Sequence, residues 1–512
     1  MEKFLYKRNT NKSTKYNVWF TFPGCYSFAM SSLGFLHLFK TLDIVDDINV
    51  ERIYTDTNKT LIKYGDVNVI CFSMSFDMDF ISVFQIFEKY SIPFKSKDRD
   101  DKMPIIFAGG PVITSNPIPY SEIFDFMIIG DGEIANTEAI KFLKDNKDLP
   151  KRNLLEELAK IDGIYVPSVN QEKILKNTCQ INECIYTPIL SDEAFFKNTF
   201  IVETSRGCAN CCNFCMASYL NLPVRFAPYE NIIKTIDFGL QYTNDIALLG
   251  AQVSIHPKFK QICNYIYERT INNKNIKMGI SSLRVDAVED DIAKTLAAAG
   301  QKHVTIAIET GSERLRQIIK KNITEEQIIN TVETLNKNGL KGVKIYAMIG
   351  IPTETNEDIQ DTINLAKKLK HLNKGFDISF AFSSFTPKPF TPFQWYGRFD
   401  TKILEHRQNY LKKELHKLGI GANFSSIKWD YWQAVLSRGD INMSDFMIDV
   451  YKNGSKLGAF KKSAKGKFNP DDYALRIYQT DEILPWDVID MRPGKSVLKE
   501  RFLQKKCTAC NA

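Results

Sequence analysis

Four of the chain's eleven cysteines fall within eight residues, Cys208-Ala-Asn-Cys211-Cys212-Asn-Phe-Cys215. Cys208, Cys212 and Cys215 form C-x₃-C-x₂-C. Cys211 offers the register C-x₂-C-x₃-C, so spacing alone leaves two ligand sets open. Three thiolates on one tight loop can bind three irons of a cubane cluster and leave the fourth iron free. Such a cluster is ordinarily held by four cysteines, so a triple implies that another molecule takes the fourth site. The competing reading is a zinc knuckle or buried thiols. Zinc sites usually need four nitrogen or sulfur ligands, often as two separated pairs, and no second pair stands nearby.

The triple, with Arg206-Gly207 before it and Phe214 just before its last cysteine, resembles the radical S-adenosylmethionine (SAM) superfamily. The resemblance selects Cys208, Cys212 and Cys215 as ligands of a [4Fe-4S] cluster and leaves Cys211 as a bystander. It implies that the amino and carboxyl groups of SAM chelate the open iron. An electron from the cluster would then break the sulfonium and give a 5′-deoxyadenosyl radical. It also implies an electron donor of flavodoxin or ferredoxin type, and it sets Phe214 beside the adenine.

Further residues that could carry this chemistry follow predicted strands. Gly250 stands where the family places a glycine edge for the SAM amino group. Ser282 and Arg284 could hold ribose and carboxylate, because a guanidinium grips a carboxylate with two parallel bonds. Glu309 suits a ribose diol or the amine, and the Gly350 turn lets adenine lie on the backbone. For Arg284 and Glu309 the competing reading is a salt bridge across the barrel mouth. His256 and His303 read as surface residues, and Arg314, Lys320 and Lys321 as a solvated helix face.

The elements that must position these residues alternate strand and helix. Strands are expected at Thr199–Thr204, Asp245–Leu249, Lys277–Ser281, His303–Ile308, Lys344–Met348 and Asp377–Ser383. Helices are expected between them, at Tyr229–Gln241, His256–Thr270, Glu289–Ala299, Ser312–Lys320, Glu325–Lys337 and Glu357–Leu369. Six such units suggest a partial (β/α)6 TIM-like barrel, whose site lies at the carboxyl ends of the strands.

An earlier α/β segment precedes it. Strands are expected at Asn17–Phe22, Val50–Tyr54, Val67–Ser73, Pro104–Ala108 and Phe124–Ile129, with helices at Ser27–Asp43 and Phe80–Tyr90. This order implies a doubly wound, Rossmann-like sheet that binds ligands at its carboxyl edge. Ala108-Gly-Gly-Pro-Val-Ile-Thr-Ser-Asn-Pro117 and Gly130-Asp-Gly-Glu133 resemble the cobalamin-binding-type domain that precedes one branch of radical SAM cores. Gly109, Gly110, Gly130 and Gly132 are the candidate cobalamin contacts. The Asp-x-His-x-x-Gly signature of many cobalamin domains is absent. His37, inside an apolar-periodic helix, reads as a packed or surface histidine. A degenerate domain that binds nothing is the competing reading.

The expected organisation is residues 1–145 cobalamin-binding-type, 146–197 connector, 198–385 radical SAM core and 386–512 an α+β extension. The connector should hold a helix at Leu154–Lys160 and strands near Gly163–Val166 and Ile181–Tyr186. The proline- and aromatic-rich stretch Phe385–Trp395 reads either as a cover on the open barrel side or as a rigid linker, and Thr401–Leu418 as an amphipathic helix. Trp429–Asp440 and Leu484–Asp487 resemble one subfamily of cobalamin-domain radical SAM proteins without an assigned substrate. Cys507-x₂-Cys510 is half of a metal site, a redox pair, or a pair of disordered cysteines, the last being favoured.

Hydrophobic content of 44% and charged content of 25% are ordinary globular values. No apolar run approaches the roughly 20 residues of a membrane span, and the charged start lacks a signal-peptide core. The chain therefore reads as cytoplasmic, where cysteines stay reduced and a tight cluster of them favours metal. A net charge of +7 permits an RNA partner without arguing for one. The leading expectation is reductive SAM cleavage coupled to cobalamin-dependent methyl transfer to an unactivated carbon. The alternatives are cobalamin-independent radical modification of RNA, such as methylthiolation, and a non-catalytic Fe–S scaffold.

Overall fold

The structure is a computed structural model that describes all residues except 10–15, 170–172, 274 and 511–512, and no side chains for 505–510. Near the N-terminus a six-stranded sheet has the order Ile48–Ile53, Tyr16–Thr21, Val69–Ser73, Ile105–Gly109, Phe126–Ile128, Ile164–Tyr165. The first five strands are parallel and the last pairs antiparallel. Val69–Phe72 is buried throughout, as an apolar run in a sheet covered on both faces must be. One face packs on Leu33–Asp43 and Ala135–Asp145, the other on Phe80–Lys89.

The single helix expected over Ser27–Asp43 is two, Tyr26–Ala29 and Leu33–Asp43. The break falls at Ser31-Ser32, where the Ser31 hydroxyl donates to the Ser27 carbonyl at 3.3 Å. Serine offers the backbone such local partners in competition with helix.

Farther on, Phe200–Glu203, Asp245–Leu249 and Lys277–Ile280 form a parallel sheet. His303–Glu309, Gly342–Ile349, Asp377–Ser384 and Gly421–Phe424 form another. A parallel bridge between Leu283 and Ile306 joins the two into one arc. The six expected strands are all present. Gly421–Phe424 adds a seventh, which the sequence hid because Gly-Ala-Asn-Phe carries no β-branched residue. Its helix is Thr401–Lys417, so this seventh unit lies beyond the expected core boundary at residue 385.

Caps fix where the later barrel helices begin. The Ser312 hydroxyl accepts from the Leu315 amide, and Thr324 with Gln327 and Thr355 with Asp358 form capping boxes. Each such cap is worth about 1 kcal/mol.

In the connector the helix is Lys151–Leu158. The strand expected at Ile181–Tyr186 is only a bridge from Tyr186 to Val202. The regular strand lies at Ile189–Ser191, paired antiparallel with Glu2–Phe4.

After the barrel come Ile427–Ser437, Asn442–Lys452, Leu457–Ala464 and Lys495–Cys510, all helical. These helices share one hydrophobic core with the N-terminal sheet, where Phe80 meets Phe460 and Trp432 stacks on Phe446. Full burial of one such ring contributes about 1.5–3 kcal/mol, so several of them make this a firm junction. Cys507 and Cys510 fall among the side chains outside the described residues. Among the described residues no helix is long and apolar enough to cross a membrane.

Candidate functional site

Strand Phe200–Glu203 delivers the chain to the cysteine loop. Ser205-Arg206 then pairs antiparallel with Arg225-Phe226. Gly207 takes φ +84°, and a Cβ there would stand 2.5 Å from the Asn221 carbonyl oxygen. Only glycine makes this turn without strain. Cys208 and Cys212 are buried and Cys215 is half-buried. Burial pushes the Cys212 thiol up to about 12 and raises Cys215, with their neighbouring thiols adding to the rise. A coordinated iron would reverse that, since a metal-bound thiol is deprotonated.

Among the described residues no three His, Cys, Asp or Glu side chains converge on a single ion. Cubane ligands need not do so, because each thiolate binds its own iron. Asn210 Nδ2 lies 3.3 Å from Cys208 Sγ, a contact of the kind that tunes cluster potentials.

The loop is held from behind. The Asn213 amide and side chain donate to Ile319 and Ile318 carbonyls at 2.9 and 2.8 Å, and its own carbonyl accepts from Phe393 at 3.0 Å. Phe393 belongs to the proline- and aromatic-rich stretch, whose Phe385, Phe393 and Trp395 are buried. That stretch lies against the cysteine loop as a strap.

The barrel strand ends surround the loop. Arg284 makes a bidentate pair with Asp286 at 2.7 Å, and Asp286 first, then Cys212 and Cys208, favour its charge. Ser282 is half-buried beside it. Glu309 takes φ +68° at the end of its strand and accepts from Lys321 Nζ at 2.5 Å. Gly350 (φ +77°) donates its amide to Glu354 at 2.8 Å, and Glu354 is bonded to Arg407 at 2.7 Å. Phe214 packs with Ile351, Leu315 and Phe393, so it shares an apolar cluster with the residue after the Gly350 turn.

Gly110, Gly130, Gly132 and His37 line one cavity of about 470 Å³ together with Gly207 and Gly250. Gly109 ends its strand outside that lining. A Cβ on Gly250 would stand 2.5 Å from Ser205 Oγ. That hydroxyl is buried, lines the cavity and has no hydrogen-bond partner. Arg206 spans the cavity floor. It is bidentate to Glu203 at 3.0 Å and reaches Glu133 at 2.7 Å and Asp131 at 3.1 Å. Burial works against the Arg206 charge, and the three carboxylates overcome it and raise its pKa. Asp131 is lowered in turn by Arg206 and Arg225 despite its own burial.

Residues 34–167 match the family described as radical SAM proteins, N-terminal, and residues 202–366 the radical SAM superfamily. An uncharacterised protein of Methanocaldococcus jannaschii is 30% identical over 87% of this chain and 94% of its own length. The chain belongs to the radical SAM superfamily. An uncharacterised methyltransferase of Pyrococcus horikoshii is 25% identical over 68% of this chain and 73% of its own. The fold is that of TsrM from Kitasatospora setae, a radical SAM methyltransferase (TM-score 0.53, 15% identity, 71% of this chain and 72% of that one). OxsB, a cobalamin-dependent radical SAM enzyme, aligns over 91% of this chain and 65% of its own (TM-score 0.55, 15% identity). As a radical SAM enzyme the protein works with a [4Fe-4S] cluster and SAM.

Three expectations are corrected by this radical SAM fold. Lys321 is buried rather than solvated. The helix expected to run through Lys320 stops at Ile318, and Lys320 at φ +59° turns the chain back so that Lys321 points inward. Arg314 bonds the Thr353 carbonyl and pairs with Asp358. His256 is buried, its Nε2 3.0 Å from the Ala227 carbonyl. His37 is packed, as one branch of its expectation had it; it also lines the cavity, where burial pushes its pKa down to about 4. Arg206 entered the sequence reading only as a motif letter; two acidic residues in the Gly130-Asp-Gly-Glu133 turn were the available hint of a basic partner.

Proposed function

We propose that Cys208, Cys212 and Cys215 hold the [4Fe-4S] cluster and that the enzyme transfers a methyl group to an unactivated carbon with the aid of cobalamin. The observation that carries this reading is the shared cavity. Glycine turns from the N-terminal sheet and the glycine edge of the barrel meet there, within two residues of Cys208. The unpartnered Ser205 hydroxyl and the glycine-lined walls fit a broad ligand that carries its own polar edge groups. Gly110, Gly130, Gly132 and His37 would face it from one side and Gly207 and Gly250 from the other. Bound there, cobalamin supplies a transferable methyl group.

On the barrel side Arg284 and Lys321 present cations near Cys208 and Cys212 for the SAM carboxylate. Glu309 presents a carboxylate for its amine or ribose, and Ser282 a hydroxyl. Phe214 and the Gly350 turn bound a slot for adenine. Both barrel cations are already paired with carboxylates, so SAM would exchange partners rather than meet bare charges. The strap from Phe385 to Trp395 keeps water from the loop.

Anaerobic reconstitution with iron, sulfide and hydroxocobalamin tests the reading. Retention of one cobalamin per chain through gel filtration is expected. SAM and reductant should then yield both 5′-deoxyadenosine and S-adenosylhomocysteine, the second being the product of methyl donation. 5′-Deoxyadenosine without cobalamin retention would overturn the methyl-transfer reading and leave the radical SAM chemistry standing. RNA methylthiolation draws support from the tRNA-2-methylthio-N(6)-dimethylallyladenosine synthase of Chromohalobacter salexigens, which is 26% identical over 38% of this chain and 44% of its own length.

A further inference from the structure

Cys211 stands between Cys208 and Cys212 with φ +45°. A residue with a Cβ keeps such a left-handed conformation only where its surroundings over-determine it. Here the restraint is a hydrogen-bond chain from the last helix, Lys495–Cys510. Arg501 Nη1 donates to the Tyr219 hydroxyl at 3.0 Å, and that hydroxyl donates to the Cys211 carbonyl at 2.9 Å. Tyr219 is fully buried, so its hydroxyl has no water to turn to. Arg501 is fixed by its neighbour Phe502, which is buried against Trp395 and Tyr396 of the strap.

We propose that Arg501 and Tyr219 are positioning residues for the iron–sulfur cluster: they lock the left-handed turn at Cys211 and so aim the thiols of Cys208 and Cys212. One left-handed residue redirects the chain sharply. The directions of the two flanking Cβ atoms therefore depend on it. The Cys211 thiol belongs to the same network, donating to the Cys208 carbonyl at 3.6 Å and meeting Arg501. The Cys211 carbonyl orientation carries the restraint from Tyr219, and the C-terminal helix becomes part of the cluster's housing although it supplies no described ligand. The inference rests on Cys208, Cys212 and Cys215 being the ligands.

The test uses the full-length chain, reconstituted anaerobically with iron and sulfide. Cluster loss to a ferrous chelator is followed by absorbance, and the reduced cluster by electron paramagnetic resonance. Tyr219→Phe and Arg501→Gln should lose the cluster several-fold faster than the parent and broaden the reduced signal. Cys211→Gly removes the need for restraint, because glycine enters the left-handed region freely. In the Tyr219→Phe background it should restore retention. Parent-like retention in both single variants overturns the proposal, as does failure of Cys211→Gly to rescue, which would assign the loss to packing. Arg501 is only half-buried, so its variant should fold even where Tyr219→Phe does not. Cys208→Ala separates the two readings: full iron and a parent-like spectrum in that variant would refute the ligand assignment itself.

Discussion

The N-terminal sheet and the barrel turn carboxyl strand ends toward the same cavity but furnish them differently. The barrel ends carry ionisable side chains already matched in pairs, Arg284 with Asp286, Glu309 with Lys321 and Glu354 with Arg407. The sheet ends carry glycine turns, and its other ends are closed by protein. Asn116 donates to the Ser437 and Gly439 carbonyls, and Lys388 bonds Asp77 at 2.7 Å. One region is built to exchange charged partners, the other to bring backbone close to a ligand face. Arg206 ties them together two residues before Cys208.

The largest effect that could break this contrast lies on the barrel side. Cys208→Ala, Cys212→Ala and Cys215→Ala should each bring 5′-deoxyadenosine formation down to background, whereas Cys211→Ser should keep the cluster. The assay is anaerobic chromatography of SAM products. Next is the link itself. Arg206→Ala leaves Glu203, Asp131 and Glu133 facing one another, and breaking a buried pair costs about 3–5 kcal/mol. Thermal unfolding of the apo protein should show it, with Arg206→Lys falling between because lysine lacks the bidentate fork. A parent-like melting temperature for Arg206→Ala would show the two regions to be independent.

A smaller effect is expected at the SAM side. Lys321→Met or Glu309→Gln should raise the KM for SAM about 10-fold, which is about 1.4 kcal/mol, with cobalamin retention unchanged. Equal loss of both ligands would erase the division of labour. The smallest effect is a pH dependence at His37. Its folded pKa of about 4 lies below the ordinary 6.5, so the unfolded chain binds the extra proton between those values. Stability from this group is therefore complete above about 6.5 and is lost as pH falls toward 4. His37→Gln should flatten that slope in denaturant unfolding series between pH 4 and 7.

The barrel was the more legible region because its strands and helices alternate in short units of clear periodicity. The seventh strand escaped because three small or polar residues before a single phenylalanine give no pattern, and its pairing with Asp377–Ser384 decides it. The sheet's glycine turns were readable as turns. Whether they meet a ligand or the protein was not, since Gly110 packs against Met74 backbone and Gly130 against Asn177 while both also line the cavity.

By itself the sequence determined the cysteine triple, the strand–helix order and the glycine positions, because spacing, periodicity and backbone freedom are local properties. Tertiary structure alone decided which charges are buried and with whom. Lys321 turned inward at a left-handed Lys320, Arg206 reached across to a turn more than seventy residues earlier, and the final helix came back to hold Cys211. The reason is that desolvation and pairing depend on what packs around a group, and those neighbours are distant in the chain.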